Sequence, residues 1–255
     1  MHVKAFGGRN SLPSAFAGIK RMFIDRNSKV MVLTGAGISA ESGLKTFREP
    51  GGMWDTYDWR ELATPAAFEK SPEKVWEFYM ERRRQIRDAQ PNEAHKALVR
   101  LEKHMNPGRF LLVSQNVDDL HERAGQKNII KIHGSAMRDI CASCGSVLDS
   151  ADSYNEFPPR HACGGLLRPD VVWFGEPLNS RDLKTAMDWL LSCDYFIVIG
   201  TSGNVFPVAQ FVYQTEATKI YIGLEEPENS RGFQQVKLGK AGIVLPELIE
   251  ELCEV

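Results

Sequence analysis

A glycine-rich segment, Gly35 to Ala40, is the first group of residues whose spacing points to chemistry. It fits the pattern G-x-G-x-x-G/A and lies between an apolar run and a plausible helix. Such a turn brings amide groups and a helix N-terminus close to a pyrophosphate, which favours nucleotide binding over an ordinary tight turn. A dehydrogenase would carry an acidic residue at a strand end about twenty positions later. Asp55 and Asp58 end no recognisable strand, which disfavours that enzyme class.

Three cysteines and a histidine form the second group. Cys141 and Cys144 make a CxxC, and His161 and Cys163 follow after 16 intervening residues. Thiolates and imidazoles bind zinc, and two close pairs can close a tetrahedron with no open position. The pattern therefore predicts a structural zinc ion, with a redox CxxC or thiols left from a lost site as alternatives. The other two cysteines lie among apolar residues and are predicted to be buried.

Polar residues that directly follow apolar runs form the third group. Gln115, Asn116 and Asp118 follow one run, and His133 follows another. Amides and carboxylates at such positions can bind a ligand, although Asn and Asp also cap loops. A histidine there can act as a general base, although a lone histidine is more often only a satisfied polar residue.

A helix predicted around Val75 to Arg87 carries Tyr79 and Arg82 three residues apart, on one face. Arg82 continues an apolar stripe, and a partly buried arginine favours binding of an anion. Three neighbouring arginines are predicted to form a solvated face, namely Arg83, Arg84 and Arg87.

Six apolar runs must position these groups. Unbroken runs of this kind suit strands buried on both faces of a parallel sheet, and helices between them imply a doubly wound α/β fold. Ligands in such sheets bind beyond the carboxyl ends of the strands. The predicted strands are Val30 to Thr34, Phe110 to Ser114, Ile129 to Ile132, Tyr195 to Gly200, Lys219 to Ile222 and Gly242 to Leu245.

Two stretches stand outside this alternation. Residues 46–95 show helical periodicity without a strand, and residues 136–168 carry the clustered cysteines. We expect them to form a smaller helical and zinc-binding domain inserted into a Rossmann-like domain. That larger domain is expected to comprise residues 21–45, 96–135 and 169–255, after an N-terminal segment of residues 1–20.

Composition narrows the class of protein. The chain has 255 residues, a net charge of −2, 43% hydrophobic and 25% charged residues, which is typical of a soluble globular protein. No global charge favours nucleic acid or an anionic membrane. No apolar run is long enough to span a bilayer, and the first twenty residues lack a secretory pattern. A cytoplasmic protein is expected.

Five segments together resemble the sirtuins, the NAD-dependent protein lysine deacylases. They appear in family order over nearly the whole chain, from about residue 23 to 252. The segments are GAGISAESGLKTFR (35–48), SQNVDDLHERAG (114–125), KIHGS (131–135), RPDVVWFGE (168–176) and GTSGNVFPVAQF (200–211).

The resemblance implies a Rossmann-like domain and a small domain, with NAD and an acylated lysine peptide entering the cleft between them. It implies that His133 is the general base, acting on a ribose hydroxyl, and that Asn116 shares the catalytic site. Products would be nicotinamide, O-acyl-ADP-ribose and free lysine. The NAD-binding residues implied are Gly35, Ala36, Gly37, Glu41, Thr46, Phe47, Arg48, Gln115, Asn116, Val117, Asp118, Gly200, Thr201, Ser202, Leu224, Glu225 and Ala241.

The resemblance also implies the substrate site. Val172, Trp173, Phe174 and Gly175 match the strand that pairs with the peptide. The sequence around Tyr79 and Arg82 is similar to the branch that prefers succinyl, malonyl or glutaryl groups, with the small Ala63 leaving the acyl pocket wide. These residues are Ala63, Tyr79, Arg82, Val172, Trp173, Phe174 and Gly175.

Three positions depart from the family pattern. Lys45 stands where proline is common, and His161 stands where the family usually has a cysteine. Gly223 replaces an asparagine that bonds the adenine ribose, which would weaken NAD binding by about 1 kcal/mol.

Two other functions compete with deacylation. Protein mono-ADP-ribosylation or NAD hydrolysis would use the same site, and a zinc-ribbon nucleic-acid binder would leave the cleft unused. Deacylation, with acylated proteins as partners, no required nucleic acid or membrane, and a monomeric chain, is the prediction.

Overall fold

The structure, a computed structural model, describes residues 22–47, 51–151, 153–201 and 208–253. The predicted N-terminal segment, residues 1–20, lies outside the described part of the chain. Within that part, no helix combines the length and apolar composition that crossing a membrane requires.

Six parallel strands form the main sheet, in the order β3-β2-β1-β7-β8-β9. The chain moves outward from β1 to one edge and then from β7 to the other, so the order reverses between β1 and β7. Ligands bind at such a reversal in open α/β sheets. The strands are β1 (Val30–Thr34), β2 (Phe110–Ser114), β3 (Ile129–Lys131), β7 (Tyr195–Ile199), β8 (Thr218–Gly223) and β9 (Gln235–Leu238).

Helices cover both faces of this sheet, which confirms the predicted doubly wound α/β fold. On one face, Val30 and Val32 pack with α5 (Glu93–His104) and α9 (Ala241–Cys253). On the other, Met31 and Leu33 pack with α7 (Ser180–Leu190) and α8 (Val208–Gln214). Alternate residues of one strand therefore enter two separate cores. A further short helix, α6 (Leu120–Ala124), follows β2.

Five predicted strands are confirmed to within one residue at either end, but the sixth was wrong. Gly242 to Leu245 belongs to α9, and the edge strand is Gln235–Leu238. A helical spacing that includes the last residue of the short apolar run is followed by the buried residues of α9, which are Ala241, Leu245, Leu248, Ile249, Leu252 and Cys253. A run of four apolar residues does not by itself distinguish a strand from a buried helix.

Among the described residues, the small module beside the main sheet contains four helices and three strands. The helices are α1 (Met53–Thr56), α2 (Trp59–Leu62), α3 (Pro65–Lys70) and α4 (Pro72–Asp88), all within the stretch predicted to be helical. An antiparallel sheet of order β5-β4-β6 carries the cysteine region, with β4 (Gly134–Cys141), β5 (Val147–Asp149) and β6 (Leu167–Val171).

Arg83 joins α4 to this antiparallel sheet, so its prediction as part of a solvated face was wrong. Its side chain is fully buried and forms an ion pair with Asp139 of β4 at 2.5 Å. It also donates to the Tyr154 hydroxyl at 2.7 Å and to the Ala136 carbonyl at 2.6 Å. A buried guanidinium needs such partners, and sequence periodicity did not show them.

Candidate active site

A cleft of about 710 Å³ opens at the carboxyl ends of β1, β2 and β7, between the main sheet and the small module. Nineteen of the predicted site residues line it. They are Gly35, Ala36, Gly37, Thr46, Phe47, Ala63, Tyr79, Arg82, Gln115, Asn116, Val117, His133, Val172, Trp173, Phe174, Gly175, Gly200, Thr201 and Glu225.

The glycine-rich turn reaches the cleft by packing directly on the end of β7. The N–H of Gly35 donates to the Ile199 carbonyl at 3.0 Å, and that of Gly37 donates to the Gly200 carbonyl at 2.8 Å. A Cβ atom on Gly37 would lie 2.8 Å from the Gly200 Cα, and Gly200 itself has φ +60°. These glycines therefore permit close approach of two backbones, and the N–H groups of Gly35 and Gly37 are already used.

Asn116 is held at the floor of the cleft by a chain of buried polar groups. Its Nδ2 donates to the Ser39 hydroxyl at 3.2 Å, and Ser39 donates to the Asp118 carboxylate at 3.0 Å. The backbone N–H of Asn116 donates to the Ser114 hydroxyl at 3.1 Å. Because a carboxylate only accepts, the Ser39 hydroxyl donates to Asp118 and therefore accepts from the Asn116 Nδ2. The carbonyl oxygen of Asn116 is left as the acceptor of this side chain. Burial raises the pKa of Asp118, while the Leu120 N–H and Lys131 oppose the rise.

His133 follows β3 with one ring nitrogen fixed by the backbone. Its Nδ1 lies 2.9 Å from the carbonyl oxygen of Gln115. A carbonyl can only accept, so Nδ1 carries the proton and the lone pair of the neutral ring is on Nε2. This is the tautomer that a general base requires. The His133 carbonyl in turn accepts from the Val172 N–H at 3.0 Å.

Tyr79 and Arg82 present two polar groups from the buried face of α4. Tyr79 is 5% exposed and Arg82 is 4% exposed, and burial raises the pKa of Tyr79 to about 12. Burial also lowers the pKa of Arg82, which the negative charge of Asp118 opposes. The Arg82 guanidinium donates to the Gln85 side chain at 3.3 Å and to the Lys45 carbonyl at 3.2 Å. In the described part of the chain its Nε has no acceptor.

Five residues that line the cleft were not predicted from the sequence: Trp54, Phe78, Val171, Glu176 and Leu178. Trp54 stacks on Phe78 with ring centroids 6.1 Å apart and contacts Phe174 edge-on at 6.3 Å. Both new aromatic residues belong to the helical stretch, where their spacing indicates only an ordinary helix core. No signal in the sequence separates these two aromatic positions from packing residues, whereas Val171 and Glu176 lie within the segment RPDVVWFGE that carries the family resemblance.

Four predicted NAD-binding residues do not line the cleft. The Glu41 carboxylate accepts from the Gly242 N–H at the start of α9, at 2.6 Å, and Ala241 is buried beside it. Asp118 is buried behind Asn116, and Leu224 is 62% exposed. Their direct roles in binding NAD stay predictions. Two more predicted residues, Arg48 and Ser202, lie outside the described residues.

The four predicted zinc ligands converge in the small module. The ligand atoms of Cys141, Cys144, His161 and Cys163 all lie within 4.8 Å of one another. Cys141 Sγ lies 3.6 Å from Cys163 Sγ, and Cys144 Sγ lies 3.4 Å from His161 Nδ1. Tetrahedral zinc with standard bond lengths separates its ligand atoms by roughly 3.5 to 3.8 Å. The set therefore fits one zinc ion, with histidine as the fourth ligand.

Local turns hold the two ligand pairs. The Gly145 N–H donates to the Cys141 carbonyl at 2.9 Å, and the Gly164 N–H donates to the His161 carbonyl at 2.8 Å. Both glycines have positive φ, as a turn of this kind requires. The backbone N–H of Cys163 lies 3.3 Å from His161 Nδ1, which shows that this nitrogen presents its lone pair, as a zinc ligand must.

Comparison with known proteins agrees with this geometry. The profile of the Sir2 family matches residues 35–207. An NAD-dependent protein deacylase of Pyrococcus furiosus is 44% identical over 237 residues, covering 89% of this chain and 94% of the relative. The chain belongs to the Sir2 family. The predicted enzyme class, NAD-dependent protein deacylase, is thereby confirmed.

Two solved Sir2 structures show which ligands related clefts bind. A Sir2 homologue in complex with NAD superposes with a TM-score of 0.79 at 39% identity, covering 91% of this chain and 97% of that one. Sir2Af2 bound to a myristoylated histone peptide superposes with a TM-score of 0.69 at 33% identity, covering 88% and 90%. In this Sir2 chain, the buried Gln115 Nε2 in the cleft has no acceptor among the described residues, so it is a donor that a bound ligand could satisfy.

Proposed function

We propose that this Sir2 deacylase removes acidic acyl groups, such as succinyl, malonyl or glutaryl, from protein lysines in preference to acetyl. The observation that carries the proposal is a buried Arg82 at the cleft. None of the ion pairs found within residues 22–47, 51–151, 153–201 and 208–253 includes its guanidinium, whereas the neighbouring Arg83 is paired with Asp139. Asp118 acts on Arg82 from beyond ion-pair distance, and a buried cation with no carboxylate in direct contact favours an anionic ligand.

Tyr79 adds a second donor on the same helical face. Trp173 Nε1 donates to the Tyr79 hydroxyl oxygen at 3.0 Å. An indole N–H can only donate, so the Tyr79 oxygen is the acceptor in this bond and its own proton remains for another acceptor. Arg82 and Tyr79 together would give an acyl carboxylate charge-assisted hydrogen bonds, whereas acetyl-lysine would leave Arg82 without an anion.

His133 and Asn116 are proposed to serve the chemical step. NAD supplies the ribose carbon that accepts the acyl oxygen and the ribose hydroxyl that then reacts. Nε2 of His133 would accept the proton of that hydroxyl, because Nδ1 is committed to the Gln115 carbonyl. The Asn116 carbonyl oxygen, oriented by Ser39 and Asp118, would accept from a ribose hydroxyl.

The segment Val172 to Gly175 is proposed to contact the peptide through its carbonyl groups. The N–H groups of Val172, Trp173 and Phe174 are already bonded to His133, Glu176 and Ala63. With those N–H groups engaged, the segment would meet the peptide backbone and the N–H of the acylated lysine through its carbonyl oxygens. Ala63 supports this edge because its carbonyl accepts from the Phe174 N–H at 3.0 Å.

The variant Arg82→Met tests acyl selectivity. Loss of charge-assisted bonds worth roughly 1.5 to 3 kcal/mol should raise the KM for a succinyl-lysine peptide about 10- to 150-fold. The KM for the matched acetyl peptide should stay the same or fall. Steady-state kinetics with acetyl, succinyl and malonyl forms of one peptide, each with and without NAD, measures this.

Arg84→Met is the matched control, because Arg84 lies on the same helix with its side chain 67% exposed. It should leave both KM values unchanged. Equal loss of both activities in Arg82→Met would show that Arg82 is structural and would contradict the acidic-acyl preference. Mass spectrometry of the products separates O-acyl-ADP-ribose from a protein carrying ADP-ribose.

A further inference from the structure

A turn directly after β6 carries Trp173 and closes on Glu176. The Glu176 N–H donates to the Trp173 carbonyl at 3.0 Å, and Gly175 at the third position has φ +90°. Glycine suits the third position of such a turn. The Glu176 carboxylate folds back and accepts from the Trp173 N–H at 2.8 Å. The first and last residues of the turn, Trp173 and Glu176, are therefore joined by two hydrogen bonds.

Arg168 on β6 contacts the face of the Trp173 ring and also binds Glu176. Its guanidinium forms a bidentate pair with Glu176, at 2.5 and 2.8 Å. It also donates to the Val171 carbonyl at 2.7 Å. The guanidinium carbon lies 3.6 Å from the centre of the Trp173 ring, within the range of a cation–π contact. Arg168 and Glu176 thus fix both the backbone and the indole of Trp173.

The indole transmits this arrangement to the acyl end of the cleft. Trp173 is 3% exposed, and its Nε1 donates to the Tyr79 hydroxyl at 3.0 Å. If the indole turned, the Tyr79 oxygen would lose its donor, and the phenolic proton would no longer be directed by it. The charge of Glu176 matters as well, because Glu176 lines the cleft and an unpaired carboxylate there would repel an acidic acyl group.

We propose that Arg168 and Glu176 are positioning residues for acyl selectivity, which fix Trp173 so that its indole orients the Tyr79 hydroxyl toward an acyl carboxylate. This inference rests on the proposed acidic-acyl preference. Neither residue was a predicted site residue, and neither needs to touch the acyl group. The bidentate pair also neutralises the cleft wall. Burial would raise the pKa of Glu176, but the bonds from Arg168 and the Trp173 N–H outweigh it and lower the pKa.

The first test reads the hydrogen bond directly. Five tryptophans give five indole N–H signals in a ¹H–¹⁵N spectrum of the full chain, and the signal of Trp173 is the one absent in Trp173→Phe. Tyr79→Phe removes the acceptor and defines the displaced position of that signal. Glu176→Gln and Arg168→Met should move the signal toward the same position. Glu77→Gln, an exposed site on α4, should leave it in place.

The second test reads selectivity with the same variants. Glu176→Gln and Arg168→Met should raise the KM for the succinyl peptide about tenfold more than the KM for the acetyl peptide, the effect of one hydrogen bond. Arg168→Lys keeps the charge but not the bidentate geometry, and should fall between wild type and Arg168→Met. Glu77→Gln should match wild type.

An indole signal that stays in place in both variants would overturn the inference, and so would an equal rise of both KM values. Melting temperatures of the variants identify any that fail to fold. If Arg168→Met does not fold, the conclusion rests on Glu176→Gln, which retains the shape of the side chain. The proposed function is judged separately on Arg82→Met. A selective wild type whose selectivity is lost in Arg82→Met but unchanged in Glu176→Gln would refute this inference alone.

Discussion

A Cβ atom on Gly223 would lie 2.7 Å from Cζ of Tyr221 and nearer still to its hydroxyl oxygen. Tyr221 cannot easily move away, because it is 4% exposed, packs on Phe233 with ring centroids 5.4 Å apart, and donates to the Thr201 carbonyl at 3.2 Å. The tyrosine therefore fills the space that a side chain at position 223 would need. A side chain at position 223, such as the asparagine that the family resemblance implies, would therefore conflict with Tyr221 in this position.

This conflict predicts that restoring the asparagine alone harms the protein. Gly223→Asn should weaken NAD binding about tenfold or more, because the extra atoms would push Tyr221 away from the carbonyl of Thr201, which lines the cleft, and overpacking of this kind costs roughly 1 to 3 kcal/mol. The double variant Gly223→Asn with Tyr221→Val should recover most of the loss. Isothermal titration with NAD, with Tyr221→Val as the control, measures the coupling. Independent, additive effects of the two substitutions would contradict it.

Replacing the proposed base tests the chemical step. His133→Ala should lower kcat about 10²- to 10⁴-fold, the usual contribution of a general base, while the Kd for NAD changes little. His104→Ala, at the end of α5, is the control and should keep wild-type kcat. Turnover of the acyl peptide and titration of NAD give the two numbers. Normal deacylation by His133→Ala would remove His133 from the mechanism.

The metal prediction is one zinc ion per chain. Cys141→Ser should lose zinc and lower the melting temperature, because structural zinc binding contributes folding free energy. His161→Cys should retain one zinc ion, since thiolate is an equally suitable ligand. Cys193→Ser, at a buried cysteine outside the cluster, should also retain it. Elemental analysis beside thermal unfolding distinguishes these cases, and active wild-type protein without zinc would refute the site.

Acid should destabilise the fold through His95. Burial lowers the pKa of His95 from 6.5 to about 4, so the unfolded chain binds the proton more readily than the folded chain. The free energy of unfolding should then be constant above about pH 6.5 and fall toward pH 4, by about 2 kcal/mol at pH 5 from this group. Urea unfolding at pH 7.5, 6 and 5 measures the slope. His95→Leu keeps all four zinc ligands, so any acid release of zinc affects both proteins alike. Its free energy of unfolding should depend less steeply on pH than that of the wild type. An identical slope would exclude His95 as the cause.

The sequence predicts the main sheet well because buried parallel strands leave unbroken apolar runs. The prediction fails at Gly242 to Leu245, because this short apolar run resembles a buried strand but forms the first turns of helix α9. The strands of the small sheet were also missed. The strand Leu167–Val171 contains Arg168 and Pro169, so it lacks an apolar run. Its partner β4 is separated from β3 by only two residues, so the sequence shows no break between them.

The site divides in the same way. The place of Gly35, Asn116 and His133 in the site could be predicted, because each closely follows a predicted strand and the strand ends meet at one edge of the sheet. The ion pairs of Arg83 and Glu176 could not be predicted, because their partners lie 56 and 8 residues away and no periodicity connects them, although Glu176 itself lies in a segment that carries the family resemblance. A buried arginine and a solvated one occupy neighbouring positions of α4, and only tertiary contacts distinguish them.

The location of Arg82 has an evolutionary consequence. The proposed acyl-recognition groups stand on α4, whereas the glycine contact between Gly37 and Gly200 joins the ends of β1 and β7. If the proposed roles hold, substitutions at Tyr79 and Arg82 on this helix change acyl recognition without touching the glycine contact. Among duplicated copies of such a gene, we expect substitutions that alter the lysine modification removed to spare the contacts of the glycine-rich turn.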